Sequence, residues 1–103
     1  MRFLIVTKSK FPFPPGMAAS LFEAMQGWVD TNTKSGKMEQ VWGFAGLPGG
    51  GGILSVDSFE ELDAIMTSMP FGPFSNIEVY GLSDVKQALM TGKHAVEMMT
   101  KGA

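Results

Sequence analysis

The sequence predicts an α+β domain: four antiparallel strands with two helices on one face, and a further helix after the last strand. Three observations carry this. The hydrophobic pattern alternates between a period of two and a period near 3.6, in the order strand, helix, strand, strand, helix, strand, helix. Gly- and Pro-rich segments fall at the switches between periods. The 103 residues suit one domain, and 45% hydrophobic against 17% charged side chains favours a packed core over disorder. We read 1–103 as that single domain, with a core over 1–82 and a helical extension over 83–103.

The first strand places Phe3, Ile5 and Thr7 on one face and Leu4, Val6 and Lys8 on the other. Apolar residues on both faces predict a central strand covered on both sides. Phe11-Pro12-Phe13-Pro14-Pro15-Gly16 can neither extend a ladder nor form a helix interior, so it is a loop. From Met17 a helical stripe of Ala18, Leu21, Phe22, Met25, Trp28 and Val29 runs to a stop at Ser35-Gly36. The second strand, Met38 to Ala45, is expected to carry Met38, Gln40, Trp42 and Phe44 on one face. Gly46 to Gly52 reads as a flexible connection to a third strand, Ile53 to Val56. Ser58 with Glu61 fits a capping box for the second helix, whose buried stripe is Phe59, Leu62, Ile65 and Met66. Pro70-Phe71-Gly72-Pro73-Phe74 ends that helix, and Ile77 to Leu82 alternates as a fourth strand. The last helix starts at Ser83, with Val85, Ala88, Leu89, Gly92, Val96 and Met99 at helical spacing. This order is the ferredoxin-like split βαβ sandwich, whose helices cover one sheet face only.

Composition removes much chemistry. Without cysteine there is no disulfide, no thiol nucleophile and no Cys-ligated zinc or iron–sulfur cluster. One histidine, His94, leaves little for a His-rich metal site and argues against a Ser–His–Asp arrangement, so no metal is expected. A net charge of -2 without clustered Lys and Arg argues against nucleic acid as a partner. No apolar run reaches membrane-spanning length, and the first is too short for a signal segment, so no membrane partner and a cytoplasmic location are expected. Nine Met and eight Phe exceed what one small core needs, which predicts a homo-oligomer, a dimer or larger ring, that buries apolar surface between subunits.

Several residues are candidates for chemistry. Glu78 and Tyr80 share one strand face, opposite Ile77 and Val79. A half-buried Glu78 would act as a proton-transfer base, or else as a structural carboxylate paired with Lys8 or Arg2. Gln40, Trp42 and Phe44 would wall an apolar small-molecule pocket, or else pack an interface. Lys8 would hold a substrate carboxylate or remain solvated, and Ser55 would donate a hydrogen bond into the same cavity. Gly49 to Gly52 lacks the Lys-Ser/Thr and following helix of a phosphate loop.

Val41-Trp42-Gly43-Phe44-Ala45-Gly46 and the run Met69-Pro70-Phe71-Gly72-Pro73-Phe74-Ser75-Asn76-Ile77-Glu78-Val79-Tyr80-Gly81-Leu82 resemble the muconolactone Δ-isomerase family over roughly residues 1–82. The resemblance implies a dimeric α+β barrel and a cofactor-free proton shift around an unsaturated lactone or similar oxygenated ring. Such chemistry needs an acid/base near the α-carbon and a group to hold enolate charge. The acidic position of the family's first helix aligns with Met25. Glu23, two residues earlier, is turned by about 200° and does not substitute. Where the family carries His and other polar residues after Ala-Gly, this chain has Leu47-Pro48 and four glycines. The leading expectation is an isomerase-like enzyme with Glu78 as acid/base. The alternative is a non-catalytic oligomeric binder or scaffold of the same superfamily.

Overall fold

The structure, a computed structural model, describes residues 1–102; residue 103, the end of the expected extension, lies outside them. Strands β1 (Arg2–Ser9), β2 (Met38–Gly43), β3 (Gly49–Ser55) and β4 (Ser75–Leu82) form one sheet in the order β2-β3-β1-β4. Every neighbouring pair is antiparallel, and β1 is central as its two apolar faces require. Helices α1 (Ala18–Lys34) and α2 (Phe59–Thr67) provide the two crossovers, and α3 (Val85–Gly102) follows β4. The ferredoxin-like α+β sandwich is therefore present, as an open sheet rather than a closed barrel.

Local chemistry sets the helix ends. Helix α1 stops where the Ser35 amide bonds back to the Thr31 carbonyl and Gly36 takes a φ of +80°, open to glycine at no steric cost. Ser58 caps α2 by accepting the Glu61 amide at 3.1 Å, and Glu61 Oε1 pairs with Lys37 at 2.6 Å. The last helix is capped by Asp84, which accepts the Gln87 amide at 2.9 Å, one residue later than Ser83 suggests.

Two expectations about the sheet are corrected. The register slips between Met38 and Gln40, so Glu39 is the extra residue of a bulge. Met38 therefore shares the helix-covered face with Val41 and Gly43, while Gln40 and Trp42 lie on the other. The glycine run is strand, not a flexible connection: β3 begins at Gly49, and only residues 44–48 link it to β2.

The core is lopsided. Phe3, Ile5, Met38, Leu54, Val56 and Leu62 are buried at the end where β1 starts and β3 finishes, with Trp28, Ile65 and Met66 packed against them. No residue of α1 is fully buried. Trp28 anchors that helix to α2 by donating Nε1–H to the Ile65 carbonyl at 3.2 Å and to Ser68 Oγ at 3.0 Å. All described side chains of α3 through Lys101 are exposed, so its apolar stripe is not packed on its own domain.

Candidate functional site

Beyond the core, α1 stands away from the glycine half of the sheet and leaves a cavity of about 490 Å³. That lies within the roughly 300–1,000 Å³ of small-molecule sites. Its floor is β3. Gly50 and Gly52 register with Thr7 and Ile5 on the helix-covered face and contribute no side chain. The run is also required sterically. A Cβ on Gly50 would lie 2.5 Å from the Trp42 carbonyl oxygen, one on Gly51 2.9 Å from that of Ile5, and one on Gly52 2.7 Å from that of Gln40. The same residues that let three strands approach closely also empty the space above them.

One end of the cavity is an aromatic cage built from three separate segments. Phe13 comes from the Pro-rich loop, Phe22 from α1, and Phe71 and Phe74 from the 3₁₀ turn between α2 and β4. Phe13 stacks edge-on against Phe22 at 5.8 Å and Phe74 at 5.2 Å, and Phe22 meets Phe71 at 5.1 Å. Met25 and Val29 of α1 complete the roof.

The polar groups of the lining are hydroxyls gathered at that same end. Ser9 and Ser75 are cross-strand partners, and Thr7 lies two residues along β1. Thr7 donates to the Gly50 carbonyl at 3.2 Å and Ser75 to the Phe71 carbonyl at 2.8 Å. No Asp, Glu, His, Lys or Arg lines the cavity among the described residues. Met25, at the position where the resemblance implies an acid, faces into it as a thioether.

The residues singled out in the sequence lie mainly elsewhere. Of Lys8, Gln40, Trp42, Phe44, Ser55, Glu78 and Tyr80, only Trp42 borders the cavity. The register puts Lys8, Gln40, Trp42, Ser55, Glu78 and Tyr80 together on the sheet face away from the helices. The Trp42 and Phe44 rings lie beside Gly51, each 3.6 Å from where its Cβ would stand. Glu78 accepts the Tyr80 hydroxyl proton rather than pairing with Lys8 or Arg2, and Arg2 is held by Glu39 at 2.6 Å. That hydrogen bond, with the carboxylate charge behind it, holds the Tyr80 phenol above its ordinary pKa. His94 is exposed on α3. The cage was missed because its phenylalanines come from three segments far apart in the chain. The signal available was the placing of Phe13, Phe71 and Phe74 in Pro-rich turns, where apolar side chains have no local core to fill.

A family model described as Muconolactone delta-isomerase matches residues 1–88, reaching into the first turn of α3. A solved muconolactone isomerase is similar at a TM-score of 0.75 and 26% identity, covering 82% of this chain and 90% of that one. A 5-chloro-2-hydroxyhydroquinone dehydrochlorinase from Burkholderia phenoliruptrix AC1100, in complex with 2,5-dihydroxybenzoquinone, superposes at a TM-score of 0.63. At 18% identity over 84% of this chain and 98% of the other, that likeness bears on the fold alone. No curated protein matches the chain.

Proposed function

The chain belongs to the muconolactone delta-isomerase family, and from that premise we propose that it binds a small, flat, unsaturated ring compound bearing oxygen in the cavity beneath α1. One observation carries this reading: a 490 Å³ space with a glycine floor, a phenylalanine cage and a few hydroxyls converging on one end. Apolar walls supply affinity and a few placed polar groups supply orientation. Titration of the protein with a panel of butenolides, benzoquinones and phenols, read by Trp28 fluorescence in a Trp42→Phe background, tests it. Met25→Phe, which adds bulk to the cavity roof without adding an indole, should weaken binding; a ligand that binds equally well to Met25→Phe would place the site elsewhere.

A second reading is the cofactor-free proton shift of the family, with Glu78 as the acid/base. The Glu78–Tyr80 hydrogen bond favours it, because it sets a carboxylate, the base that a proton shift needs, beside a phenol on one strand face. These groups lie outside the cavity, so this chemistry needs a second subunit over the open sheet face to exclude water, forming the family's two-sheet barrel. Deuterium uptake by a β,γ-unsaturated butenolide in D₂O, lost in Glu78→Gln, is the result this reading expects.

A further inference from the structure

We infer that the ligand of the cavity is uncharged and carries a hydroxyl that donates a hydrogen bond: a neutral phenol or enol rather than a carboxylate. The inference rests on the pocket reading above and narrows it to a class of compound. Its basis is the direction in which the polar groups already spend their protons. The Thr7 hydroxyl donates to Gly50 O and the Ser75 hydroxyl donates to Phe71 O. Each therefore turns oxygen lone pairs, not a proton, toward the cavity. Of the three hydroxyls at that end, only Ser9, at the rim, has its proton uncommitted among the described residues.

A carboxylate is purely an acceptor when ionised. Placed at this end it would face the lone pairs of Thr7 and Ser75, with the ring faces and edges of Phe13 and Phe74 around it. No cation compensates. Lys8 is carried by β1 on the opposite sheet face, and the Lys10 ammonium sits 5.2 Å from the centre of the Phe11 ring, which does not line the cavity. Among the described residues, an anion would thus be desolvated with no cation beside it and only the rim Ser9 hydroxyl to donate to it. A phenolic or enolic hydroxyl meets the same lone pairs as a donor, while its ring fills the cage by edge-to-face contact.

Three probes of one ring size test the point at about pH 6.5, where a carboxylate is ionised and a phenol neutral: methyl 4-hydroxybenzoate, 4-hydroxybenzoate and methyl 4-methoxybenzoate. Calorimetric titration of the full chain should find the hydroxy ester bound about tenfold or more tighter than either of the others. Binding of 4-hydroxybenzoate as tight as that of its ester overturns the exclusion of anions while leaving the cavity a ring site. Equal affinity for the hydroxy and methoxy esters overturns the donor requirement. If none of the three binds, the pocket reading itself fails and this inference falls with it.

Discussion

Gly50 lies so close to β2 that a Cβ at this position would stand 2.5 Å from the Trp42 carbonyl oxygen. The neighbouring atom is backbone, so the clash is relieved only by moving a strand. We predict that Gly50→Ala destabilises the protein by about 2 kcal/mol or more, in the range of overpacking and backbone strain. Gly27→Ala, on α1 with nothing within 4 Å of the added methyl group, should instead raise stability by up to about 1 kcal/mol. Urea denaturation of the two variants should therefore give opposite signs, and a Gly50→Ala variant as stable as the wild type would show that β3 has room that its geometry denies.

This pair also shows why the sheet was legible and the site was not. Alternation in β1 and β4 identifies both faces, because Phe3, Ile5 and Val79 differ in character from Arg2, Lys8 and Glu78. Gly49 to Gly52 has no side chains to alternate, so a period-based reading passes over it, although its steric reason lies in the neighbouring strands. The bulge at Glu39 is equally silent, and it moves Met38 to the opposite face from Trp42. The hydroxyl end is built by pairing Ser9 with Ser75 across 66 positions of sequence, a juxtaposition that no local pattern contains.

The second prediction concerns the start of α2. Ser58→Ala removes the acceptor for the Glu61 amide and should cost about 1 kcal/mol. Ser58→Asp keeps an acceptor at the cap and should recover most of that loss in thermal denaturation.

The third is a pH dependence. The hydrogen bond from Lys37 holds the Glu61 carboxyl below its ordinary range, and the same bond raises the Lys37 ammonium above its own. Stability from Glu61 is full above the unfolded value of about 4.3 and is lost as pH falls through its lowered folded value. The contribution of Lys37 is full below about 10.4 and is lost as pH rises through its raised one. Lys37→Met should flatten both arms of the Tm profile and leave the region between them the least changed in shape. A wild-type profile that the substitution shifts uniformly would assign the two residues no pairing.

The fourth reads the Glu78–Tyr80 pair directly. Tyr80 is the sole tyrosine of the chain, so its ionisation is followed by ultraviolet absorbance without assignment. Glu78→Gln removes the carboxylate that accepts its proton and should bring the phenol back down toward about 10. Because the folded value is raised in the wild type, the stability from this bond is full below the unfolded value and lost as pH rises through the folded one. An unchanged Tyr80 titration in Glu78→Gln would separate the two residues in solution and remove the support for a proton-transfer role.

The last prediction concerns α3 and the open sheet face. An 18-residue helix with Gly92 near its middle is marginal in water without tertiary packing. Yet Val85, Leu89, Met90, Val96, Met98 and Met99 are each at least 59% exposed. On the sheet, Trp42, Tyr80 and Leu82 are at least 42% exposed on the face that neither α1 nor α2 covers. Two uncovered apolar surfaces on one small chain are both satisfied by further copies of that chain, since each copy brings the stripe and the face together. Burial of such surface favours association at about 25 cal/mol per Å², against which the costs of association and of ordering the helix are set. Sedimentation should accordingly give at least a dimer at micromolar concentration. Truncation after Leu82 should lower the assembly mass or cause aggregation through the exposed face, while the sheet, which does not depend on α3 for its core, stays folded and the far-ultraviolet circular dichroism loses only the helical signal of α3. Equal mass and equal Tm for the truncated and full chains would show α3 to be a dispensable tail.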